Sequence, residues 1–166
     1  MNRILLVMSL FVVASFASAA EGFKNGIGEK VMTNDTMSAT NATAQDFLSK
    51  ISQESGVVKT DSGLMYKVLS AGTGASPTAS SQVEVNYEGK LTTGKVFDSS
   101  YQRGSTATFG VSEVIAGWTE ALQLMKTGST WELYIPSNLA YGARGIPGVI
   151  PGDSTLIFKV DLIAIK

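Results

Sequence analysis

After Gly56 the chain alternates apolar and polar residues two by two, and this period leaves few architectures open. Val83, Val85 and Tyr87 alternate with Glu84, Asn86 and Glu88; Trp131, Leu133 and Ile135 alternate with Glu132 and Tyr134. Leu156, Phe158, Val160, Leu162 and Ala164 repeat the pattern over a longer span. Successive side chains of a strand point to opposite faces, so each run reads as a strand with one face on a core. Leu64 to Leu69 reads as a fourth, and Lys95 to Asp98 and Thr106 to Phe109 as shorter ones. Turn signals at Gly72 to Gly74, Thr93-Gly94 and Arg103-Gly104 separate them. Ala116 to Met125 has helical spacing instead, apolar at Trp118, Ala121, Leu122 and Met125. The economical solution is an α+β fold, a curved antiparallel sheet of about five to six strands wrapped around one short α-helix.

The N-terminal part follows other rules. Asn2 and Arg3 precede an apolar run from Ile4 to Ala14, and small residues follow through Ala20. That order is the signature of a secretory signal, with cleavage after Ala19 or Ala20, so residues 1–20 are read as a signal peptide. Residues 21–42, rich in Gly, Asn, Thr and Ser, are expected to form a flexible arm. Thr43 and Asp46 resemble an N-cap and its acidic partner. Phe47, Leu48 and Ile51 then share a face before Gly56, giving a short helix and linker over 43–56. Such a helix can be a solvated spacer or a weak dimer seam, and its few apolar residues favour the spacer.

Composition narrows the chemistry. With 44% apolar residues the chain can bury a core, and 13 Lys plus Arg against 14 Asp plus Glu exclude the broad positive field that nucleic acid requires. Cys and His are both absent, which removes thiol nucleophiles, disulfides, the usual zinc ligands and every Ser-His or Cys-His dyad. Neither a metal nor an organic cofactor is implied. The segment from Tyr141 to Gly152 is longer than a hairpin needs and is apolar, held by Gly and Pro, which suits a binding loop.

Five blocks then occur in order: Val85-Asn-Tyr-Glu-Gly89, Gly94-Lys-Val-Phe-Asp-Ser-Ser100, Glu113-Val-Ile-Ala-Gly-Trp118, Leu139-Ala-Tyr-Gly142, and Ile146-Pro-Gly-Val-Ile-Pro151 before Thr155-Leu-Ile-Phe158. Together they resemble the FKBP family of macrolide-binding peptidyl-prolyl cis-trans isomerases, over residues 63–166. The Trp118 to Met125 helix with Gly128-Ser-Thr-Trp131, behind an exported N-terminus, is similar to the bacterial macrophage infectivity potentiator group. The resemblance implies an isomerase domain over 57–166 that rotates X-Pro bonds in exported proteins and assists their folding. A peptide-binding chaperone or host-interaction module using the same cleft is the alternative. Implied partners are proline-containing unfolded or exported polypeptides and macrolide inhibitors of the FK506 and rapamycin type. No membrane insertion of the mature chain is expected, and the location is periplasmic or secreted. Members of that group carry a longer dimerising helical segment than residues 21–56 can hold, so a monomer is expected rather than a dimer.

By the same resemblance Trp118 forms a pocket floor under the proline ring, with Tyr87, Phe97, Val114, Ile115 and Phe158 as walls and Ile146, Val149 and Ile150 as the upper rim. Each of these apolar residues also has a plain reading as core. Asp98 accepts from Tyr87 or Arg103 and presents its field to the twisting amide, or simply ties down a loop as a buried ion pair with Arg103. The Ile115 N–H and the Tyr141 hydroxyl are assigned to carbonyls of the bound chain. Ile146 stands where small eukaryotic members often have histidine, and Ala107 falls near a position often held by an aromatic.

Overall fold

The computed structural model describes the backbone from Asp35 to Lys166 and side chains from Thr43 onward. The expected signal peptide, and the arm up to residue 34, lie outside the described residues. In chain order the elements are α1 (Asp35–Ile51), β1 (Val57–Lys59), β2 (Met65–Ser70), β3 (Gln82–Leu91), β4 (Val96–Ser99), α2 (Ser100–Arg103), β5 (Ala107–Gly110), α3 (Ala116–Leu124), β6 (Thr130–Ile135) and β7 (Leu156–Ile165). The strands form one antiparallel sheet of seven, ordered β1-β2-β6-β7-β3-β4, with β5 also paired to β3. The alternating runs became β3, β6 and β7, whose inward residues Val83, Val85, Tyr87, Leu133, Ile135, Phe158 and Val160 close on Trp118, Ala121 and Leu122 of α3 and on Met125 just after it. The sheet has more strands than expected because β1 spans only three residues, too few to display a period.

The N-terminal helix differs from the sequence expectation at both ends. It is already helical at Asp35, so residues 35–42 are not part of an irregular arm and Thr43 lies within the helix instead of capping it. From residue 35 to 51 there is no Gly or Pro to interrupt the helix, and the polar composition that suggested an arm carries only weak propensity costs. At the other end the helix stops at Ile51. Gly56, with φ of 84°, serves the turn into β1. Phe47, Leu48 and Ile51 pack on Met65, Tyr134 and Ile157, which form a second apolar cluster on the outer face of the sheet. Helix α3 thus fills one face and α1 covers part of the other.

Candidate active site

The site begins at a fork in the sheet. Along one edge, β3 pairs with β5 through residues 82–85 and with β4 through residues 88–90, leaving Asn86 and Tyr87 without a strand partner on that side. A buried, unpaired backbone donor is costly, and Ser100 supplies the missing partner. Its Oγ accepts the Tyr87 N–H at 2.8 Å and donates to Asn86 Oδ1 at 3.0 Å, and the residue is fully buried. Ser99 caps the short helix α2 by accepting from the Gln102 N–H at 3.3 Å, and Gly104 ends it with φ of 69°. That one turn carries Arg103 back over Tyr87 and Asp98.

These three residues form a closed triangle. The Tyr87 hydroxyl donates to Asp98 Oδ2, Arg103 donates to Asp98 Oδ1, and the other Arg103 nitrogen donates to the Tyr87 oxygen at 2.9 Å. The guanidinium also lies 5.5 Å from the centre of the Tyr87 ring. Burial, then the bond to Asp98, pushes the Tyr87 hydroxyl well above the usual phenol range, against a smaller opposing pull from Arg103. Burial pulls the Arg103 guanidinium down, but its bonds to Tyr87 and Asp98 outweigh that and leave it raised. The Asp98 side chain is 6% exposed and that of Arg103 41%, so water screens the pair from one side and its main effect is to fix where the carboxylate points.

Behind the triangle stands a nest of rings. Trp118 meets Tyr87 and Phe158 edge-on at 5.3 Å each and Phe109 at 5.9 Å, while Phe97 meets Phe158 edge-on at 5.6 Å. Edge-to-face contacts at these separations are the favoured geometry for aromatic pairs. Two glycines permit them. A Cβ on Gly89 would lie 2.6 Å from Phe158 Cε1 and 2.7 Å from Phe97 Cζ, and one on Gly117 would lie 2.6 Å from Ile135 Cγ2. Trp118 is placed by the start of α3, where its N–H donates to the Ile115 carbonyl at 2.9 Å and the Thr119 hydroxyl reaches the Val111 carbonyl at 2.7 Å.

The structure brings Tyr87, Phe97, Asp98, Arg103, Val114, Ile115, Trp118, Tyr141, Ile146, Val149 and Phe158 around one core region. Four of the expected surfaces are closed: Trp118, Tyr87, Phe158 and Ile150 are each 2% exposed or less. Trp118 is not an open floor: its edge-on neighbours leave it without exposed surface, and the half-buried residues are Phe97, Val114, Ile115, Tyr141, Ile146 and Val149. Ile150 is not at the rim either. It is 2% exposed within the core and bridges to Ile146 through its backbone. The Tyr141 hydroxyl is buried with no hydrogen-bond partner among the described residues. Burial, and then the charge of Asp98, push that hydroxyl above the ordinary phenol range, which sets it within electrostatic reach of the carboxylate. The Trp118 Nε1–H is likewise buried and unpartnered, and no carbonyl among the described residues accepts the Ile115 N–H.

Sequence reasoning passed over Ser100, Asn86, Phe109 and Gly89. Phe109 was visible as the partner of Ala107 in a two-residue alternation, and Gly89 as the end of the first block. Nothing in a serine pair marks which hydroxyl will plug a gap between strands.

A half-open antiparallel sheet around one helix, with a tyrosine, an aspartate and an arginine bonded in a ring beside aromatic side chains, frames the site. The family model described as FKBP-type peptidyl-prolyl cis-trans isomerase matches residues 74–163, and the chain belongs to that family. Its relatives place it in the Mip group. It is 55% identical over 120 residues to the peptidyl-prolyl cis-trans isomerase Mip of Coxiella burnetii, covering 72% of this chain and 52% of the relative. It is 54% identical over 120 residues to the outer membrane protein MIP of Legionella longbeachae, with the same coverage of 72% and 52%. Among solved structures, FkpA from Escherichia coli superposes with a TM-score of 0.76 at 42% identity, over 80% of this chain and 62% of that one. The chain spans about half the length of these curated relatives. A second model, the domain amino terminal to FKBP-type peptidyl-prolyl isomerase, matches residues 13–68, a range that includes α1 and β1.

Proposed function

We propose that the chain is a peptidyl-prolyl cis-trans isomerase acting on proline-containing segments of exported polypeptides. The observation that carries this reading is the Tyr141 hydroxyl, buried without a partner near Asp98 in otherwise apolar surroundings. Leaving a polar group buried and unpaired costs about 1–3 kcal/mol. Such a group is poised for an acceptor brought by a ligand, and a peptide carbonyl meets the need.

Rotation about X-Pro must break amide resonance, a barrier of ~18–20 kcal/mol, and needs no covalent step. The planar amide is strongly dipolar and well hydrated, whereas the twisted one has lost conjugation. An apolar cup of Phe97, Val114, Ile115 and Ile146 therefore favours the twisted form over the planar one. Asp98, held by Tyr87 and Arg103, presents a fixed field to the developing charge distribution. The Ile115 N–H and the Tyr141 hydroxyl hold carbonyls of the chain on either side of the rotating bond. The same surfaces suit macrolides of the FK506 and rapamycin type. The leader-like first twenty residues and the envelope name of the Legionella relative support a periplasmic or secreted location.

The test is a proline-limited refolding assay, whose uncatalysed slow phase takes tens of seconds or more. Catalytic amounts of the protein should shorten that phase, and a macrolide should cancel the effect. An unchanged slow phase in the presence of bound client would reduce the protein to a peptide-binding module.

A further inference from the structure

The loop joining β6 to β7 has two sides. On one, Ile146 and Val149 pack against the aromatic core. The other opens on a cleft of about 340 Å³, which the same two residues line together with Leu91 and Lys95 of the β3–β4 hairpin and with Arg144 and Pro147. Ligand sites start at about this volume. One stretch of wall therefore borders both the candidate active site and a second concavity that the isomerase reading does not use.

Both margins of this cleft are fixed. Ile146 and Ile150 exchange backbone hydrogen bonds of 2.8 Å in each direction. A Cβ on Gly145 would lie 2.2 Å from the Ile150 carbonyl oxygen, and one on Gly152 would lie 2.0 Å from that of Ala143. The two arms of the loop thus pack backbone against backbone, as only glycine allows. Across the cleft the hairpin is closed by the Leu91 N–H on the Lys95 carbonyl and the Gly94 N–H on the Leu91 carbonyl, both at 2.9 Å. A site held this way spends little ordering entropy on binding.

Its chemistry is one-sided. The lining is apolar apart from Lys95, Arg144 and backbone, and it holds no acid. Neither cation has an ion-pair partner among the described residues, in a chain whose acids outnumber its bases 14 to 13. Two exposed cations beside apolar walls are complemented by a carboxylate with an apolar neighbour.

We propose that this cleft is a second docking site for the client polypeptide, taking an acidic residue that lies a few residues from the proline. The choice of occupant rests on the isomerase reading: a chain leaving the site over Ile146 and Val149 enters this cleft directly. The site would make clients with acidic flanks preferred substrates.

The test uses the full chain and two series of fluorescent proline peptides, extended on the N-terminal or the C-terminal side. Members of a series differ only in carrying Glu or Gln a few residues from the proline. Binding is followed by anisotropy, independently of turnover. In one series the Glu peptide should bind roughly two- to fivefold more tightly than its Gln twin, as expected of partly exposed charge pairs. Lys95→Gln with Arg144→Gln should erase that ratio while a short neutral peptide is turned over as by the parent protein. No preference in either series, or a preference that survives both substitutions, overturns the proposal. So does equal competition by free glutamate, which would make this a small-carboxylate site. A short peptide that is bound but not turned over would instead defeat the isomerase reading, leaving the anisotropy comparison to decide the cleft.

Discussion

Tyr141 and Asp98 put opposite demands on the molecule, and substitution separates them. Tyr141→Phe removes a hydroxyl that is buried without a partner, so the ligand-free protein should be as stable as the parent or more stable. Binding of a macrolide or peptide should weaken by roughly 2- to 12-fold, the worth of one net hydrogen bond. Denaturant unfolding beside a titration of ligand reads both signs, and a loss of stability with unchanged affinity would make the hydroxyl a core group. Asp98→Ala should lower the rate of catalysed refolding by roughly 100-fold, the lower end of the range for removing one preorganised electrostatic group. The domain should remain folded, because the Arg103 side chain, 41% exposed, can recover water when its partner is lost. If that variant refolds clients at the parental rate, the carboxylate only anchors a loop. Tyr87 and Asp98 were legible because they sit in recognisable blocks, whereas Arg103 lies between the second and third of them. The closure of the three into a ring was not legible, since a spacing cannot say whether Asp98 takes Tyr87, Arg103 or both.

At the scale of elements, the long strands declared themselves by alternation, because each has one face on α3 and the other turned outward. The parts that stayed hidden are those whose form is set by a distant partner. β1 exists only by pairing with β2, and Ser100 became structural only where β4 and β5 part company along β3. Ser100→Ala should therefore cost about 1–3 kcal/mol in urea unfolding by stranding the Tyr87 N–H. It should also depress kcat/KM, with both effects restored by Ser100→Thr. Parental activity in a destabilised alanine variant would show that the plug holds the sheet without positioning Tyr87. Gly89→Ala is the corresponding probe of the ring nest. Its Cβ would overlap Phe97 and Phe158, so the two rings must separate. Ligand affinity should fall several-fold while the helix α3 signal in circular dichroism is kept; unimpaired binding would mean that Phe97 does not shape the site.

For the molecule as a whole, α1 packs Phe47, Leu48 and Ile51 on its own sheet. Those side chains are engaged within the chain, which supports a monomer, and sedimentation at increasing concentration should show no dimer. Alkaline behaviour follows from the tyrosines. Burial foremost raises the hydroxyls of Tyr87, Tyr101, Tyr134 and Tyr141 above the ordinary phenol value. A raised value means that the unfolded chain loses these protons first, so their contribution to stability is complete below pH of about 10 and is lost as pH climbs beyond it. Phenolate absorbance of Tyr87, Tyr134 and Tyr141 should then appear together with unfolding; ionisation of these three in the intact protein would contradict their burial. The fork along β3 also has a kinetic meaning. On one side β3 is zipped to β7 from Val83 to Leu91, while on the other two four-residue strands share the edge with a hydroxyl between them. Amide hydrogen exchange should accordingly split the sheet into a slow central seam and a faster margin, so that the mouth of the cleft can breathe while the seam stays shut.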